Sequence, residues 1–481
     1  MLQQLKNSIK RPRFYIEEVG TMETWEIYQH VFSGENSFLF DSSLLDNRLG
    51  TKSLMGCSPF FRFRINPVEK ERAKIQPESW GWIFNMLREL LEIVNVPESA
   101  GDGIIPGAAV GYFSYDLGRT IEKLPYAARD DAGFPYLDLN LYDMVLEIDH
   151  LSNRIFLAAV DFGISNVRER FNEMTSELKR FNKISPLNKD RKESIKLDKV
   201  RSAFPVNPIE SYSNFTREGY IETVRKAIEY IYTGDIYQVN LSQRFQIPAA
   251  IDSMLLYRRL RELNPAPFSA YIDFGDLKLL SSSPERFLKV EGMKVETRPI
   301  KGTRPRGNDP ESNAKLKNDL KTSEKDNAEL AMIVDLERND LGKVCIPGSV
   351  KVSEHARIEE YATVYHLVST VEGTLRQDAD LVDLIKASFP GGSITGAPKI
   401  RAMEIIEELE PTKRGPYTGS IGYIGFNGTM DLNIAIRTII QHGKLLSYQV
   451  GGGIVADSVP EDEYQETLDK GIALARAIAL V

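Results

Sequence analysis

Residues 216–245 read TREGYIETVRKAIEYIYTGDIYQVNLSQRF, and this stretch predicts a helix that is followed directly by a strand. Apolar side chains recur at helical spacing over 216–232, namely Tyr220, Val224, Ile228 and Ile231. Gly234 is a typical helix stop, and 237–245 has the composition of an extended strand. The stretch therefore indicates a domain in which helices pack on sheets.

The rest of the chain repeats this mixture without regular βαβ alternation. Further strands are predicted at 37–40, 60–63, 142–148, 154–160, 268–274, 278–282, 295–300, 418–426 and 445–450. Further helices are predicted at 80–94, 312–336, 381–388 and from residue 458 to the C-terminus. This order favours an α+β fold with large antiparallel sheets.

A polar stretch at 182–215 separates two parts of the chain. We interpret it as a linker between an N-terminal region, 1–181, and a C-terminal region, 216–481. The alternative is a surface loop within one continuous domain, which a chain of 481 residues also allows.

Composition excludes several classes of protein. The formal net charge of -8 argues against a general nucleic-acid binder, because phosphates favour a positive surface. The two cysteines, Cys57 and Cys345, provide neither a disulfide framework nor a thiolate metal cluster, as is usual in the reducing cytoplasm. No apolar stretch is long enough to span a membrane, and the N-terminus lacks an apolar run of signal-peptide length. We expect a cytoplasmic globular protein that binds neither nucleic acid nor membrane.

The C-terminal helix has an acidic side. Residues 458–461 read SVPE and predict a capping-box start. Tyr464, Leu468, Ile472 and Ala475 form its apolar face. Glu463, Glu466 and Lys470 lie on the opposite side, where the simplest interpretation is a solvated face with a Glu–Lys pair.

A second acidic pair makes a binding site more plausible than a solvated face. Asp326 and Glu329 are three residues apart on a predicted helix, and an apolar segment follows Glu329 directly. A carboxylate there is costly unless a cation or hydrogen-bond donors meet it. Oxygen ligands from two helices suit Mg²⁺, which also takes substrate oxygens and water.

Glycines and one arginine suggest a site for a small anion. The 389–399 loop, FPGGSITGAPK, is not a Walker A loop, but its glycines precede a predicted helix. Gly451, Gly452 and Gly453 follow a strand and can also present backbone N–H groups. Arg437 lies in an apolar segment and needs an acidic partner, most commonly an internal carboxylate. Together with Lys470, these groups suit a small polyanionic acid.

Several ordered motifs between residue 215 and the C-terminus resemble the chorismate-utilising enzymes, which include anthranilate, aminodeoxychorismate, isochorismate and salicylate synthases. The motifs are GDIYQVNLS at 234–242, SPERF at 283–287, residues 329–342, YHLVS at 365–369, the 389–399 loop, residues 451–458 and YQET at 464–467. The resemblance implies a large sandwich of antiparallel sheets with helices outside and the site between its layers.

The resemblance also implies roles for individual residues. Glu329 and Glu466 match Mg²⁺ ligands, and Glu463 and Asp326 match positions that support the metal, although Asp326 replaces the glutamate of anthranilate synthases. The carboxylate-binding groups are Arg437, Tyr417, Lys470 and the amides of Gly451, Gly452 and Gly453. His366 and Ser393 match positions lining the reacting ring, and Glu285 matches a general acid or base.

The residue at position 301 distinguishes between the members of the family. The PIKGT motif at 299–303 has lysine where aminodeoxychorismate synthases have it and where the other members usually have alanine. The resemblance therefore implies amination of chorismate at C4 through a covalent Lys301 intermediate, in 4-aminobenzoate and folate biosynthesis. An amine nucleophile must be neutral, so the pKa of Lys301 must be depressed.

Partners and alternatives follow from the same resemblance. Because Cys57 and Cys345 lie in no glutaminase-like setting, ammonia is expected from a separate glutamine amidotransferase subunit in a heterodimer. Residues 37–42 resemble the strand that holds regulatory tryptophan in anthranilate synthases, so tryptophan is a possible N-terminal ligand. The alternatives are anthranilate synthase component I and a non-catalytic regulatory paralogue.

Overall fold

The structure is a computed structural model that describes residues 2–44, 48–67, 81–101, 103–184, 212–307, 309–361 and 364–480. Its α-helices are α1 (Leu2–Ser8), α2 (Thr24–Ile27), α3 (Gly81–Ile93), α4 (Val167–Ile184), α5 (Arg217–Tyr232), α6 (Ser253–Leu263), α7 (Pro310–Thr322), α8 (Glu324–Gly342), α9 (Leu381–Ser388), α10 (Lys399–Leu409) and α11 (Pro460–Ala479). A π-helical turn covers Tyr28–Phe32, and 3₁₀ turns cover Glu98–Gly101, Tyr115–Thr120 and Gly392–Ile394.

The strands form two large antiparallel sheets. In chain order they are β1 (Arg13–Gly20), β2 (Phe38–Asp41), β3 (Lys52–Gly56), β4 (Phe61–Ile65), β5 (Ala108–Phe113), β6 (Leu137–Tyr142), β7 (Met144–Asp149), β8 (Arg154–Asp161), β9 (Gln238–Pro248), β10 (Phe268–Asp273), β11 (Leu277–Ser283), β12 (Arg286–Glu291), β13 (Lys294–Arg298), β14 (Ile300–Pro305), β15 (Lys351–Glu360), β16 (Val364–Thr374), β17 (Gly396–Ala397), β18 (Ser420–Gly425), β19 (Met430–Ile434), β20 (Thr438–His442) and β21 (Leu445–Ile454). Sheet A has the order β1-β8-β7-β3-β2-β10-β11-β20-β21-β9-β17. Sheet B has the order β14-β16-β13-β12-β19-β18-β5-β6-β4, with β15 also paired to β16.

Both sheets contain strands from the two predicted regions of the chain. In sheet A, β2 of the N-terminal region pairs with β10 of the C-terminal region. In sheet B, β5 pairs with β18 in the same way. The predicted regions 1–181 and 216–481 therefore share both sheets. Of the predicted linker, residues 185–211 lie outside the described residues, and residues 182–184 are the end of α4.

Alternation along the strands shows how the sheets pack. In β10, Ala270 and Ile272 belong to an apolar cluster that includes side chains of both sheets, such as Val110 of β5. Tyr271 between them points to the opposite face, where helices α6 and α11 contribute to a second cluster. Because successive side chains point to opposite faces, the sheets pack on each other and are covered outside by helices. The predicted α+β sandwich is confirmed.

The helix in the 216–245 stretch begins and ends near the predicted residues. The Thr216 hydroxyl accepts the N–H of Gly219 at 3.0 Å and so caps α5. Its most buried face contains Tyr220, Val224 and Ala227, one position away from the predicted Ile228, which is only half-buried. Gly234 adopts φ 83°, a left-handed conformation suited to glycine just after a helix.

Two predicted elements are each divided in the structure. The helical character predicted at 312–336 is confirmed but is divided between α7 and α8, because Ser323 leaves the helical conformation and its hydroxyl caps α8 at the N–H of Asp326. The strand predicted at 295–300 is divided at Pro299 into β13 and β14, since proline has no N–H for a sheet ladder.

No helix in the described ranges has both the length and the apolar composition that crossing a membrane requires.

Candidate functional site

The predicted site residues converge where one edge of sheet A approaches one edge of sheet B. Lys301 lies on β14 and His366 on the adjacent β16, at the end of sheet B. The Gly451–Gly453 segment lies on β21 beside β9, near the end of sheet A. Helices α8 and α11 flank this junction and carry the predicted acidic residues.

A β-bulge on β14 sets the direction of Lys301. The pairing with β16 shifts register between Lys301 and Thr303, and Gly302 between them has φ 72°. A Cβ atom on Gly302 would lie 2.8 Å from Cδ1 of Leu320 and 2.9 Å from Oδ1 of Asp326. Only glycine fits there, so the bulge is built into the chain beside the predicted nucleophile.

The Lys301 amine lies inside the site. Nζ donates to the carbonyl oxygen of Ser393 at 3.3 Å. A Cβ atom on Gly453 would lie 3.5 Å from Lys301 Nζ. Burial lowers the pKa of Lys301, while the charges of Glu329 and Glu285 oppose that shift. The amine is therefore easier to deprotonate than a lysine in water.

Glu285 is a buried carboxyl group beside this amine. It is 4% exposed, and burial raises its pKa to about 7, against the opposing effects of Ser393 and Lys301. The Ser393 hydroxyl is near enough to favour the charged form of Glu285, but neither Glu285 Oε1 nor Ser393 Oγ, both buried, has a hydrogen bond of normal geometry within the described part of the chain. A carboxyl group with this pKa can donate or accept a proton near neutral pH.

His366 is held as a neutral imidazole. Its Nδ1 is 2.9 Å from the Thr303 hydroxyl, and its ring lies edge-on to Tyr361 with centroids 4.9 Å apart. Burial lowers the pKa of His366 to about 3, and the positive charge of Arg437 adds to that shift. Nε2 is buried and has no partner among the described residues, so it is free to contact a ligand.

Arg437 departs from the expectation of an internal carboxylate. Across the described residues its side chain makes no ion pair, and its one side-chain hydrogen bond is a long contact of 3.5 Å from Nη1 to Asn264 Oδ1. Burial lowers the pKa of Arg437. Its backbone has φ 50°, which is rare for a residue other than glycine. A half-buried cation without an acidic partner is suited to bind an anionic ligand.

The three glycines belong to β21 itself and do not form a turn after it. Gly451, Gly452 and Gly453 face Ser242, Leu241 and Asn240 of β9. The N–H groups of Asn240 and Ser242 donate away from β21, to Thr395 and Glu410. Because donors and acceptors alternate in an antiparallel ladder, Gly451 and Gly453 direct their N–H groups to the opposite edge of β21. Two of the three predicted amides are therefore available to an anion.

The acidic side of α11 is organised differently from the prediction. The predicted capping box is wrong, because the N-cap is Val459 without a side-chain hydrogen bond, and the Ser458 hydroxyl donates to Glu463 Oε1 at 2.6 Å. Glu463 is 7% exposed, and burial raises its pKa. Lys470 and Glu466 form the expected ion pair at 2.6 Å, and Lys470 Nζ also donates to the Gly451 carbonyl at 3.0 Å.

Glu329 on α8 belongs to the same electrostatic environment as α11. Burial raises the pKa of Glu329, and the Glu466 charge adds to that shift, while Lys301 and Lys325 oppose it. Burial also acts to raise the pKa of Glu466, but the lysines around it, Lys470 first, lower it overall. Asp326 has another partner, since its Oδ2 accepts from Arg304 at 2.9 Å.

The carboxylates have the donor chemistry for a hard cation. In the described parts of the chain, no three His, Cys, Asp or Glu side chains lie close enough to hold a metal by themselves. A Cβ on Gly452 would nevertheless lie 3.1 Å from Glu463 Oε2 and 3.4 Å from Glu466 Oε1, so both carboxylates lie against this glycine. A donor set of this kind fits Mg²⁺, which usually takes one or two carboxylates and completes its coordination with substrate and water.

Tyr417 lies near the buried side chain of Arg414. It is 5% exposed, and its ring is 5.9 Å from the guanidinium of Arg414. Burial raises the pKa of Tyr417, so its hydroxyl keeps its proton. A buried neutral phenol can donate a hydrogen bond to a carboxylate.

Four residues of the site were not singled out from the sequence. Thr303 and Tyr361 contact the His366 ring. Lys325 acts electrostatically on Glu329 and Glu466. Gln238 is 1% exposed, and a Cβ on Gly453 would lie 2.1 Å from its Nε2. Gln238 and Lys325 lie inside or beside quoted motifs, but only tertiary contacts give them a place in the site.

The strand compared with a tryptophan-binding strand borders a separate cavity. This cavity of about 140 Å³ is lined in part by Phe40, Asp41 and Ser42 of the predicted stretch and by Pro267 and Phe268. Asp41 Oδ2 accepts from Arg261 Nε at 2.5 Å. The other end of the stretch is anchored, since the Ser37 and Tyr28 hydroxyls are 2.7 Å apart.

Comparisons with known proteins identify the family to which the chain belongs. Residues 41–476 match the family described as chorismate binding enzyme. The chain is 45% identical over 374 residues to aminodeoxychorismate synthase component 1 of Salmonella typhimurium, with 78% of this chain and 77% of that protein covered. It is 43% identical over 408 residues to an anthranilate synthase component 1 of Haloarcula marismortui, with 84% and 82% covered.

A solved structure shows the same similarity in three dimensions. Anthranilate synthase component I from Streptococcus pneumoniae TIGR4 superposes with a TM-score of 0.72 at 30% identity, covering 90% of this chain and 93% of that one. The chain therefore belongs to the chorismate-binding enzyme family. It is a chorismate-utilising enzyme, and relatives of two different activities match it at similar identity.

Proposed function

We propose that this enzyme is the aminating component of an aminodeoxychorismate synthase, which replaces the C4 hydroxyl of chorismate with an amino group. The observation that carries the proposal is the Lys301 amine, which lies in the site and donates to the Ser393 carbonyl at 3.3 Å. Its lowered pKa favours the neutral form that attack on carbon requires.

In the proposed reaction Lys301 is the nucleophile. Its neutral amine attacks C2 of chorismate, both ring double bonds shift around the ring, and the C4 hydroxyl leaves. Ammonia then attacks C4, both double bonds shift back, and the Lys301 amine leaves C2. The net change is exchange of a hydroxyl for an amine with release of water.

The other side chains protonate the leaving group and bind the substrate. Glu285, with a pKa of about 7, protonates the departing hydroxyl. Arg437 and the N–H groups of Gly451 and Gly453 bind the substrate's carboxylates. His366 contacts the ring through Nε2.

Mg²⁺ is proposed as the cofactor. Glu329 and Glu466 would hold it and Glu463 would support it, whereas Asp326 is engaged with Arg304. When bound, Mg²⁺ would neutralise a carboxylate of the substrate. It would also stabilise the negative charge that moves during the displacement. A separate glutamine amidotransferase is proposed as the source of ammonia.

The product assay tests the assignment. The purified chain is incubated with chorismate, Mg²⁺ and an ammonium salt, and the product is identified by mass and fluorescence. Aminodeoxychorismate is expected. Anthranilate as the main product would instead assign the chain to anthranilate synthase component I, and no turnover of chorismate would favour the non-catalytic paralogue.

Tryptophan is proposed as a ligand of the cavity beside β2. Phe40 supplies an apolar wall, and Asp41 supplies a carboxylate that can meet an amino group. Calorimetric titration with tryptophan should give a one-to-one isotherm that the Asp41→Ala variant loses. An unchanged isotherm in that variant would contradict this placement.

A further inference from the structure

Tyr361 is a buried residue at the junction of two strands of sheet B. It follows β15 directly, and its N–H donates to the carbonyl of Val364, where β16 begins, at 2.8 Å. Its own carbonyl accepts from Nη1 of Arg306 at 3.2 Å, and only 5% of the residue is exposed. The backbone of Tyr361 is therefore held on both sides, and its side chain points into the protein.

The hydroxyl of Tyr361 contacts the peptide unit that precedes Glu285. It donates to the carbonyl of Pro284 at 3.2 Å. The N–H of Glu285, at the other end of the same peptide unit, donates to Ser283 Oγ at 3.3 Å. Because a peptide unit is planar, hydrogen bonds at both of its ends fix the orientation of the plane. The Tyr361 hydroxyl therefore helps to set the direction of the Glu285 side chain.

The ring of Tyr361 packs against the imidazole of His366. The two rings are nearly perpendicular, with an interplanar angle of 80° and centroids 4.9 Å apart. The Thr303 hydroxyl, 2.9 Å from Nδ1, fixes one atom of the imidazole. Because a single hydrogen bond leaves the plane of a ring free to turn, the packed Tyr361 ring supplies the second constraint. Together the two contacts keep Nε2 of His366 pointed in one direction.

Glu359 and Arg298 hold the hydroxyl end of Tyr361. Glu359 Oε2 lies 3.4 Å from the Tyr361 hydroxyl, as a second acceptor for its proton. The other oxygen of this carboxylate, Oε1, pairs with the guanidinium of Arg298, which is itself buried. Burial raises the pKa of Tyr361, so the hydroxyl keeps the proton that it donates. The phenol is therefore a neutral donor in a fixed position.

We propose that Tyr361 is a positioning residue for both Glu285 and His366, an inference that rests on the proposed function. Its hydroxyl acts through the Pro284 carbonyl on the group that protonates the departing C4 hydroxyl. Its ring acts through the imidazole that contacts the substrate ring. Glu285 and His366 come from distant parts of the chain, and their relative placement decides the rate of the reaction.

Tyr361→Phe tests the role of the hydroxyl, with chorismate consumption followed in the presence of Mg²⁺ and an ammonium salt. This variant keeps the ring and loses the donor to Pro284. Its kcat should fall about tenfold while KM for chorismate stays within about twofold of wild type. In a Glu285→Gln background the same substitution should change kcat by less than about twofold, because the hydroxyl acts only through Glu285. A general loss of stability would instead slow both backgrounds alike.

Tyr361→Leu tests the role of the ring. It loses both the hydroxyl and the contact with the imidazole, so its kcat should fall a further about tenfold below that of Tyr361→Phe. This further loss should be absent in a His366→Ala background, where no imidazole remains to be oriented. Both comparisons are made well below the melting temperature of each variant, so that unfolded protein does not contribute.

Tyr365→Phe is the matched control. Tyr365 is also a buried tyrosine, and its hydroxyl donates to Asn313 Oδ1 of α7 at 2.6 Å. Loss of this hydroxyl removes a hydrogen bond of the same kind without affecting Pro284 or His366. The variant should therefore lose stability while its kcat stays within about twofold of wild type.

Three results would overturn the inference. They are a wild-type kcat in Tyr361→Phe, a loss in that variant that persists in full in the Glu285→Gln background, and a further loss in Tyr361→Leu that persists in the His366→Ala background. The product of the wild-type chain judges the proposed function separately. Anthranilate would contradict that function while the ratios of kcat still test Tyr361, and a wild-type chain that consumes no chorismate would contradict both.

Discussion

Two arginines of this enzyme, the buried Arg414 and the half-buried Arg437, have opposite surroundings. Arg414 donates to Glu410 through Nε and NH2, and its remaining donors reach the carbonyls of Ile394 and Asn240 and the Thr418 hydroxyl. Arg437 makes one long contact, to Asn264, and no ion pair among the described residues. The pKa of Arg414 is raised by its surroundings, chiefly through Glu410, despite burial, whereas burial lowers the pKa of Arg437.

The same contrast separates two groups of residues. We call Arg414, Glu410, Ser242 and Thr418 the closed cluster, because each charged group has a partner inside it. We call Lys301, Glu285, His366, Ser393 and Arg437 the open cluster. Three of its buried polar atoms, Glu285 Oε1, His366 Nε2 and Ser393 Oγ, have no partner in the described part of the protein.

The closed cluster contains groups that stabilise the fold, whereas the open cluster contains groups that are suited to bind a ligand. A buried polar atom without a partner costs about 1–3 kcal/mol, so the open cluster lowers the stability of the free enzyme. Binding of a polyanionic substrate recovers that free energy. We therefore expect substitutions in the closed cluster to reduce stability and those in the open cluster to reduce activity.

The largest expected effect is on Lys301. Lys301→Ala should lower aminodeoxychorismate formation by about 10³-fold or more, because the nucleophile is lost, while chorismate still binds. Turnover and the melting temperature are both measured. Lys399→Ala is the matched control, since Lys399 is also half-buried with a lowered pKa but is paired with Asp340, so this variant should lose stability. Turnover at the wild-type rate in Lys301→Ala would exclude covalent catalysis.

The two arginines test the comparison directly. Arg437→Ala should lower kcat/KM for chorismate about 10²-fold without lowering the melting temperature, because no internal carboxylate loses its partner. Arg414→Ala should reduce the free energy of unfolding by about 3–5 kcal/mol, because Glu410 is left buried and unpaired. Steady-state kinetics and denaturant unfolding measure the two effects. The same loss of stability in both variants would show that the open cluster is structural.

A pH profile tests the proton on Glu285. Burial raises its pKa to about 7, so the group is protonated below that pH and loses its proton above it. As a general acid it should make kcat/KM fall about tenfold per pH unit above neutrality. The free ammonia concentration is held constant across the profile. Glu285→Gln should be slower and lack this alkaline limb, and an unchanged limb in that variant would assign the ionisation to another group.

The smallest expected effect concerns the carboxylates beside Gly452. Gly452→Ala would place a methyl group 3.1 Å from Glu463 Oε2, so this side chain must shift slightly. The Mg²⁺ concentration for half-maximal turnover should rise by no more than about tenfold. Gly342→Ala is the control, since nothing lies within 4 Å of its added Cβ. An unchanged Mg²⁺ requirement in Gly452→Ala would place the ion elsewhere.

Local sequence patterns predicted much of the fold and missed specific boundaries. The helix at Arg217–Tyr232 and the strand at Phe268–Asp273 follow from apolar periodicity, which reports burial on one face. The break at Ser323 was missed, because a single capping serine within a helical composition gives a weak signal. The strand over Gly451–Gly453 was missed because glycine usually indicates a turn, and only pairing with β9 keeps it extended.

The sequence by itself determined the fold class, the family motifs and the residue types of the candidate site, because these depend on periodicity and on motifs contiguous in the chain. The tertiary structure alone decided that Arg437 has no acidic partner, that Glu463 is buried and that Lys301 reaches Ser393. It also brought Thr303, Tyr361 and Gln238 into the site. The physical reason is that hydrogen-bond partners and burial depend on strands and helices distant in sequence, so the charge state of each group is set only when the two sheets come together.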